Sequence, residues 1–179
     1  MRHINKVLKG ILFLLILNTV NVSYAQINYP DKIRLNDGWL FLREDIGNIW
    51  EAVRPAEAGS SETVPLWTSV TLPHCFNAED AVDPDVNYYE GPGWYKKMLD
   101  INNPYRNGRI LLHFEGAGQK TEVYIYTQKV ASHVGGYDEF TVDITDAVSS
   151  FLQLEDAKRF NGKIPLSIRC DNTRDAEMI

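Results

Sequence analysis

The chain has 179 residues, long enough for one domain with a sizeable core, and carries 24 acidic against 18 basic side chains for a net charge of −6. An acidic chain without a Lys/Arg cluster argues against nucleic acid and anionic membrane surfaces as partners. Two cysteines, Cys75 and Cys170, make no disulfide framework and read as two half-buried thiols in preference to a pair. No CxxC or Cys/His cluster offers a structural zinc site.

Residues 1–25 read as a secretory signal peptide. Arg2, Lys6 and Lys9 give a basic start, Ile11 to Leu17 is an unbroken apolar run, and Ser23-Tyr24-Ala25 puts small residues where a signal peptidase inspects them. The run is shorter than the roughly 20 apolar residues that cross a bilayer, and no Cys follows it to carry a lipid. An uncleaved anchor or a buried helix is the less favoured alternative. The expectation is export to the periplasm or the extracellular space, with Gln26 as the new N-terminus. Cleavage there leaves 154 residues and shifts the net charge from −6 to −9, since three cations and no anion depart.

Downstream, strand patterns separated by turn formers dominate. Asn36-Asp37-Gly38 is the first turn, Arg54 to Glu62 reads as an inserted surface loop, and Gly91-Pro92-Gly93 precedes a β-rich stretch from Trp94 to Ile101. After Asn107-Gly108, Ile110, Leu112 and Phe114 alternate with Leu111 and His113. Val123 and Ile125 alternate with Glu122, Tyr124 and Tyr126. Beyond Gly135-Gly136, Phe140, Val142 and Ile144 alternate with Thr141 and Asp143. Asp143 to Leu152 has helix-like spacing. After Asn161-Gly162, Ile164, Leu166, Ile168 and Cys170 alternate with Pro165, Ser167 and Arg169. Period-two alternation places one face of each strand on a core, so the pattern predicts an all-β, antiparallel sandwich or jelly roll.

The acidic stretch Glu79-Asp80, Asp83, Asp85, Asn87 and Glu90 is the densest polar cluster. As a calcium loop it begins well with Asp83-x-Asp85-x-Asn87, but Pro84 intrudes, Tyr88 stands where a sharp-turn Gly is needed, and Glu90 comes too early for the bidentate position. As a catalytic carboxylate pair it has no supporting motif. A solvated acidic loop is the favoured reading. His74, His113 and His133 lie on separate segments without ligand spacing, and His3 departs with the signal.

Several motifs in fixed order resemble the sugar-binding domain of family 2 glycoside hydrolases. They are Asn36-Asp37-Gly38-Trp39 with Phe41, Val70-Thr71-Leu72-Pro73-His74, Gly93-Trp94-Tyr95-Lys96-Lys97, Leu112-His113-Phe114-Glu115-Gly116, Glu122-Val123-Tyr124-Ile125, His133-Val134-Gly135-Gly136-Tyr137 with Phe140, Asp143-Ile144-Thr145-Asp146, and Asp171-Asn172. The resemblance spans nearly all of residues 26–179 and is nearest the β-galactosidase branch, while β-glucuronidases and β-mannosidases share the domain. It implies a galactose-binding-like jelly roll over 26–179 that lacks its final strand, followed in such enzymes by an immunoglobulin-like domain and a (β/α)₈ barrel. The abrupt end at Ala176-Glu177-Met178-Ile179 reads as a cut before those domains.

The resemblance assigns both catalytic glutamates to the barrel, so no catalytic residue, metal ligand or cofactor site is expected here. It implies substrate contacts from Asn87, in the loop before Gly-x-Gly-Trp-Tyr, and from Asp171 or Asn172. Amides and carboxylates suit adjacent sugar hydroxyls, whereas Asn87 as an ordinary turn residue is an equal alternative. Partners would be β-linked oligosaccharides or polysaccharides and the downstream domains of the same enzyme. A stand-alone carbohydrate-binding module and an adhesion or scaffold sandwich are the competing functions. Structurally, Trp39, Trp94 and Tyr95 suit the core; Gly135-Gly136 would let Tyr137 and Phe140 fold back on the sheet; Asp143 or Thr145 would cap the helical turn; and His74 reads as a scaffold histidine. The family's Asn-Gly hairpin is replaced by Tyr126-Thr127-Gln128-Lys129, which predicts a longer or different turn.

Overall fold

The computed structural model describes residues 32–54, 67–80, 82–83 and 85–174. The signal segment, most of the Arg54–Glu62 loop and the last five residues lie outside the described residues. Elements follow in the order β1 (Trp39–Leu42), α1 (Ile49–Val53), β2 (Thr68–Val70), β3 (Pro92–Leu99), β4 (Leu111–Phe114), β5 (Lys120–Ile125), β6 (Gln128–Val134), β7 (Phe140–Asp143), α2 (Thr145–Leu152), a 3₁₀ turn (Glu155–Phe160) and β8 (Ile164–Asp171). The predicted sandwich is present. Six strands form one antiparallel sheet in the order β2-β1-β3-β8-β5-β6, and β4 with β7 form a second, two-stranded layer.

The alternation read from the sequence builds the space between the layers. Val123, Ile125, Ile164 and Leu166 from the large sheet and Leu112, Val142 and Ile144 from the small layer are buried together, while Leu111, His113, Thr141 and Asp143 face outward. The Phe114 and Phe140 rings stack 4.5 Å apart where β4 meets β7. β8 is the centre of the large sheet: Pro92 through Leu99 pair with Asp171 through Ile164 on one side, and Lys120 through Ile125 pair with Asp171 through Leu166 on the other. Paired on both sides, β8 keeps Ile164, Leu166 and Ile168 buried. Pro165 and Ser167 on the opposite face are buried as well, since α1 packs against β8 and Lys96 Nζ donates to the Ala52 carbonyl at 3.1 Å.

The N-cap of helix α2 is Ile144, which has no side-chain cap, where Asp143 or Thr145 was expected. The Asp143 carboxylate instead holds the start from one residue earlier: it accepts the backbone N–H of Thr145 at 2.9 Å and its hydroxyl at 2.6 Å, and that hydroxyl accepts the Ile110 N–H at 2.8 Å. These contacts tie the helix to the lead-in of β4. Val148 and Phe151 bury the inner face.

Trp94 is buried as expected, on the face of the sheet opposite Tyr95, with its ring 5.9 Å from Tyr124, because neighbouring strand residues alternate sides. Three other sequence expectations narrow or change. The β5–β6 hairpin is not longer: Ile125 pairs directly with Gln128, leaving the two-residue turn Tyr126-Thr127 with Tyr126 at φ +52°. That unfavourable backbone is held by tertiary contacts. Tyr126 is buried among Trp50, Phe151 and Phe160, and its hydroxyl donates to Asp156 at 2.8 Å. Tyr137 is 98% exposed and does not fold back, whereas Phe140 does, against Phe114 and His133. Cys75 and Cys170 are unpaired as expected, but only Cys170 is buried, and that burial pushes its thiol up to about 11.

Candidate functional site

The three sequence-implied sugar contacts gather at one end of the large sheet, where β3 begins and β8 finishes. Asp171 is the Cα partner of Pro92. One residue on, Asn172 closes a two-way contact with the loop entering β3: its Oδ1 accepts the Gly91 N–H at 2.8 Å, and its own N–H donates to the Gly91 carbonyl at 3.3 Å. Asn87 sits in that loop, exposed, with no hydrogen bond among the described residues.

Beneath the loop lies a cluster that the sequence did not reveal. Asp80 was expected in a solvated acidic stretch, yet its side chain is 2% exposed. Its Oδ1 accepts from Arg43 Nη1 at 2.7 Å, and its Oδ2 accepts from Asn77 Nδ2 at 2.8 Å and from the Tyr89 N–H at 3.0 Å. Arg43 also donates to the Phe76 carbonyl at 3.0 Å. Asn172 Nδ2 donates to Asn77 Oδ1 at 2.8 Å and to the Tyr89 carbonyl at 2.9 Å, and Asn77 Nδ2 reaches the same carbonyl at 2.9 Å. The Arg43 hydrogen bond, followed by the Tyr89 N–H, holds the Asp80 carboxyl below its ordinary value. Every buried polar group in the cluster thus has a partner, which makes it a rigid anchor.

The two members of the Asp171/Asn172 pair have different duties. Asn172 uses both amide hydrogens and its oxygen inside the domain, leaving no donor for a sugar hydroxyl. Asp171 accepts from Arg169 Nη2 at 2.9 Å and from the Thr173 N–H at 2.9 Å. Burial alone would raise its pKa, but the Thr173 and Arg169 contacts outweigh it and keep the carboxyl below its ordinary value. A carboxylate has about four acceptor positions, and the Arg169 and Thr173 contacts do not fill all of them on Asp171.

Asp171 belongs to a polar array on the outward face of the sheet. Glu122, the register partner of Arg169, accepts from Lys129 Nζ at 2.9 Å and from the Tyr124 hydroxyl at 2.9 Å. Burial would raise Glu122, but these two donors hold it below its ordinary value; the same burial and the Glu122 contact push Tyr124 up to about 12. His74 is a scaffold residue as expected: its Nδ1 is 2.9 Å from the Tyr95 hydroxyl and its ring packs edge-on against Phe41, with burial lowering its pKa.

At the other end of the sheet, a groove of about 490 Å³ lies between Ile101, Tyr105, Arg109, Val148 and Leu152. Three of its polar side chains are engaged locally: Asn103 donates to the Gly108 carbonyl, Ser149 to the Thr145 carbonyl, and Arg109 pairs with Asp143. Among the described residues no three His, Cys, Asp or Glu side chains converge to hold a metal ion, and no described helix is long and apolar enough to cross a membrane.

Comparison with known proteins bears on the family and the fold. Residues 20–154 match the model of the glycosyl hydrolases family 2 sugar binding domain. A Formosa agariphila protein is 36% identical over 169 residues, covering 94% of this chain and 18% of the relative. A β-galactosidase of Thermoanaerobacter pseudethanolicus is 28% identical over 119 residues, 66% of this chain and 15% of that protein. Among solved structures, Parabacteroides merdae β-glucuronidase is 72% identical with a TM-score of 0.80, over 84% of this chain and 19% of that one. Bacteroides uniformis β-glucuronidase 3 is 66% identical with a TM-score of 0.79, over 83% and 20%. The chain spans about a fifth of the length of such relatives. It belongs to the glycosyl hydrolases of family 2 and carries their sugar binding domain.

Proposed function

We propose that the chain is the N-terminal part of an exported β-glucuronidase-type glycosidase, in which it supplies Asn87 and Asp171 to a sugar site completed by downstream domains. The 72% identity to Parabacteroides merdae β-glucuronidase across 84% of the chain is the observation that carries this reading. It moves the expected specificity from β-galactosides, whose named relative here is 28% identical, toward β-glucuronides. Retaining glycosidases need two carboxyl groups about 5–5.5 Å apart. The buried carboxylate Asp80 is instead locked into the Arg43–Asn77–Tyr89 anchor, so hydrolysis is assigned to the downstream part. Export rests on the basic start, the apolar run and Ser23-Tyr24-Ala25.

Within that site the domain's contribution is positioning and hydroxyl recognition. Asn87 offers one acceptor and two donor hydrogens, and Asp171 offers acceptors on a carboxyl fixed by Arg169. Sequencing the genomic frame beyond codon 179 tests the reading. A second sandwich followed by a (β/α)₈ barrel with two glutamates is expected; a free-standing gene ending at Ile179 would favour a non-catalytic sugar-binding module.

A further inference from the structure

The loop between Asp80 and Gly91 shows a contrast between its two sides. Its base is fastened by Asp80, Asn77 and Asn172 to the last turn of β8, through five hydrogen bonds that reach the Tyr89 N–H, the Tyr89 carbonyl and Gly91. Its far side carries Val82, 81% exposed, and the exposed Val86, Asn87 and Tyr88. A buried carboxylate is costly to maintain unless fully hydrogen-bonded, yet the sheet itself does not need this one: β3 and β8 are already paired over eight residues.

We propose that Asp80 is a positioning residue whose anchor to Asn77, Arg43 and Asn172 fixes the loop so that Asn87 meets the bound sugar in one geometry. The inference rests on the assignment of Asn87 to the sugar site given above. Asp80 itself touches no substrate; it acts through Tyr89 and Tyr88, the one residue between Tyr89 and Asn87. The carboxylate is required because both of its oxygens must accept, Oδ1 from Arg43 and Oδ2 from Asn77 Nδ2 and the Tyr89 N–H. An amide in its place turns one acceptor edge into a donor that faces Arg43 or the Tyr89 N–H. Alignment of a binding group by its support is worth as much as the group itself when displacement approaches 1 Å.

The test uses this chain joined to the remaining domains of Parabacteroides merdae β-glucuronidase, with p-nitrophenyl β-D-glucuronide as substrate. Asn87→Ala and Asp80→Asn are each expected to raise KM about fivefold or more with kcat changed by less than about twofold, the split that marks lost substrate positioning. The double variant is expected to be no worse than Asn87→Ala alone, because both changes remove the same contact. Arg43→Met, at a side chain 39% exposed, gives the same KM effect should Asp80→Asn fold poorly. In the unfused 179-residue chain, Asp80→Asn is expected to speed hydrogen exchange at residues 85–90 while β3 and β8 stay protected. If Asn87→Ala raises KM but Asp80→Asn and Arg43→Met do not, or if the two effects add, the anchor is merely structural and the proposal is overturned. If Asn87→Ala leaves KM unchanged, the assignment of Asn87 fails and the anchor's role fails with it. Unchanged exchange at 85–90 overturns the proposal without reference to activity.

Discussion

Asn172 and Asn77 stand 95 positions apart in the chain, yet their side-chain amides meet at 2.8 Å. This contact joins the end of the sheet's central strand to the loop that enters its neighbour, and it makes Asn172 a fastener where the family resemblance had offered it as a sugar contact. Of the two residues, Asp171 is therefore the one proposed to face the sugar.

Gly91 sits inside this contact at φ +155°, and a β-carbon there would lie 2.9 Å from the Tyr89 hydroxyl. That hydroxyl donates to the Pro92 carbonyl at 2.8 Å, so it does not move freely. Gly91→Ala is expected to cost about 1–3 kcal/mol, the range for a strained backbone position. Chemical denaturation with matched m-values checks it, and an unchanged midpoint would show that the loop adapts.

Acid should loosen the anchor only at low pH. Arg43 and the Tyr89 N–H depress the Asp80 carboxyl in the folded chain below its ordinary value of 3.8. A depressed acid contributes stability that is complete above the unfolded-state pKa and disappears as pH falls through the folded-state value. The stability difference between wild type and Asp80→Asn is therefore expected to be flat from about pH 5 to 8 and to shrink below about pH 4. A difference that shrinks between pH 5 and 8 would assign the dependence to another group.

The strained hairpin and the central strand give two contrasting stability effects. Tyr126→Phe removes the 2.8 Å bond to Asp156 and leaves the ring packing intact, an expected loss of about 1 kcal/mol. Leu166→Ala empties a position 1% exposed at the middle of the sheet, an expected loss of about 2–5 kcal/mol. Thermal melts rank them; a larger loss for Tyr126→Phe would place the folding weight on the hairpin.

The strands were legible because their apolar residues repeat every second position, as in Leu112–Phe114, Val142–Ile144 and Ile164–Cys170, and α2 was legible from helical spacing and the Asp143–Thr145 start. Alternation assigns residues to two faces but does not say which face is the core when both are covered, and so the burial of Trp94 was legible but its face was not. α1 has only five residues, too few for a periodic signal. Tyr126 at positive φ contradicts local preference and is maintained by rings distant in sequence. At the candidate site, Asn87, Asp171 and Asn172 were singled out through motif order. Asp80 could not be told from Glu79, Asp83 and Asp85, because its burial depends on Arg43 and Asn172, far away along the chain.

The chain alone is expected to hydrolyse neither p-nitrophenyl β-D-glucuronide nor p-nitrophenyl β-D-galactoside, since its buried carboxylate is committed to the anchor and no motif pairs two others. Turnover that survives repurification and vanishes on changing one carboxylate of this chain would contradict that division of labour.

The most direct test of the account measures the specificity of the fused enzyme. With this chain in place of the native N-terminal domain of Parabacteroides merdae β-glucuronidase, the account expects kcat/KM for p-nitrophenyl β-D-glucuronide to stay within about tenfold of the parent, equal to about 1.4 kcal/mol of transition-state stabilisation. It also expects the β-galactoside to remain the poorer substrate. A soluble, folded fusion that has lost the β-glucuronide, or that prefers the β-galactoside, would contradict it.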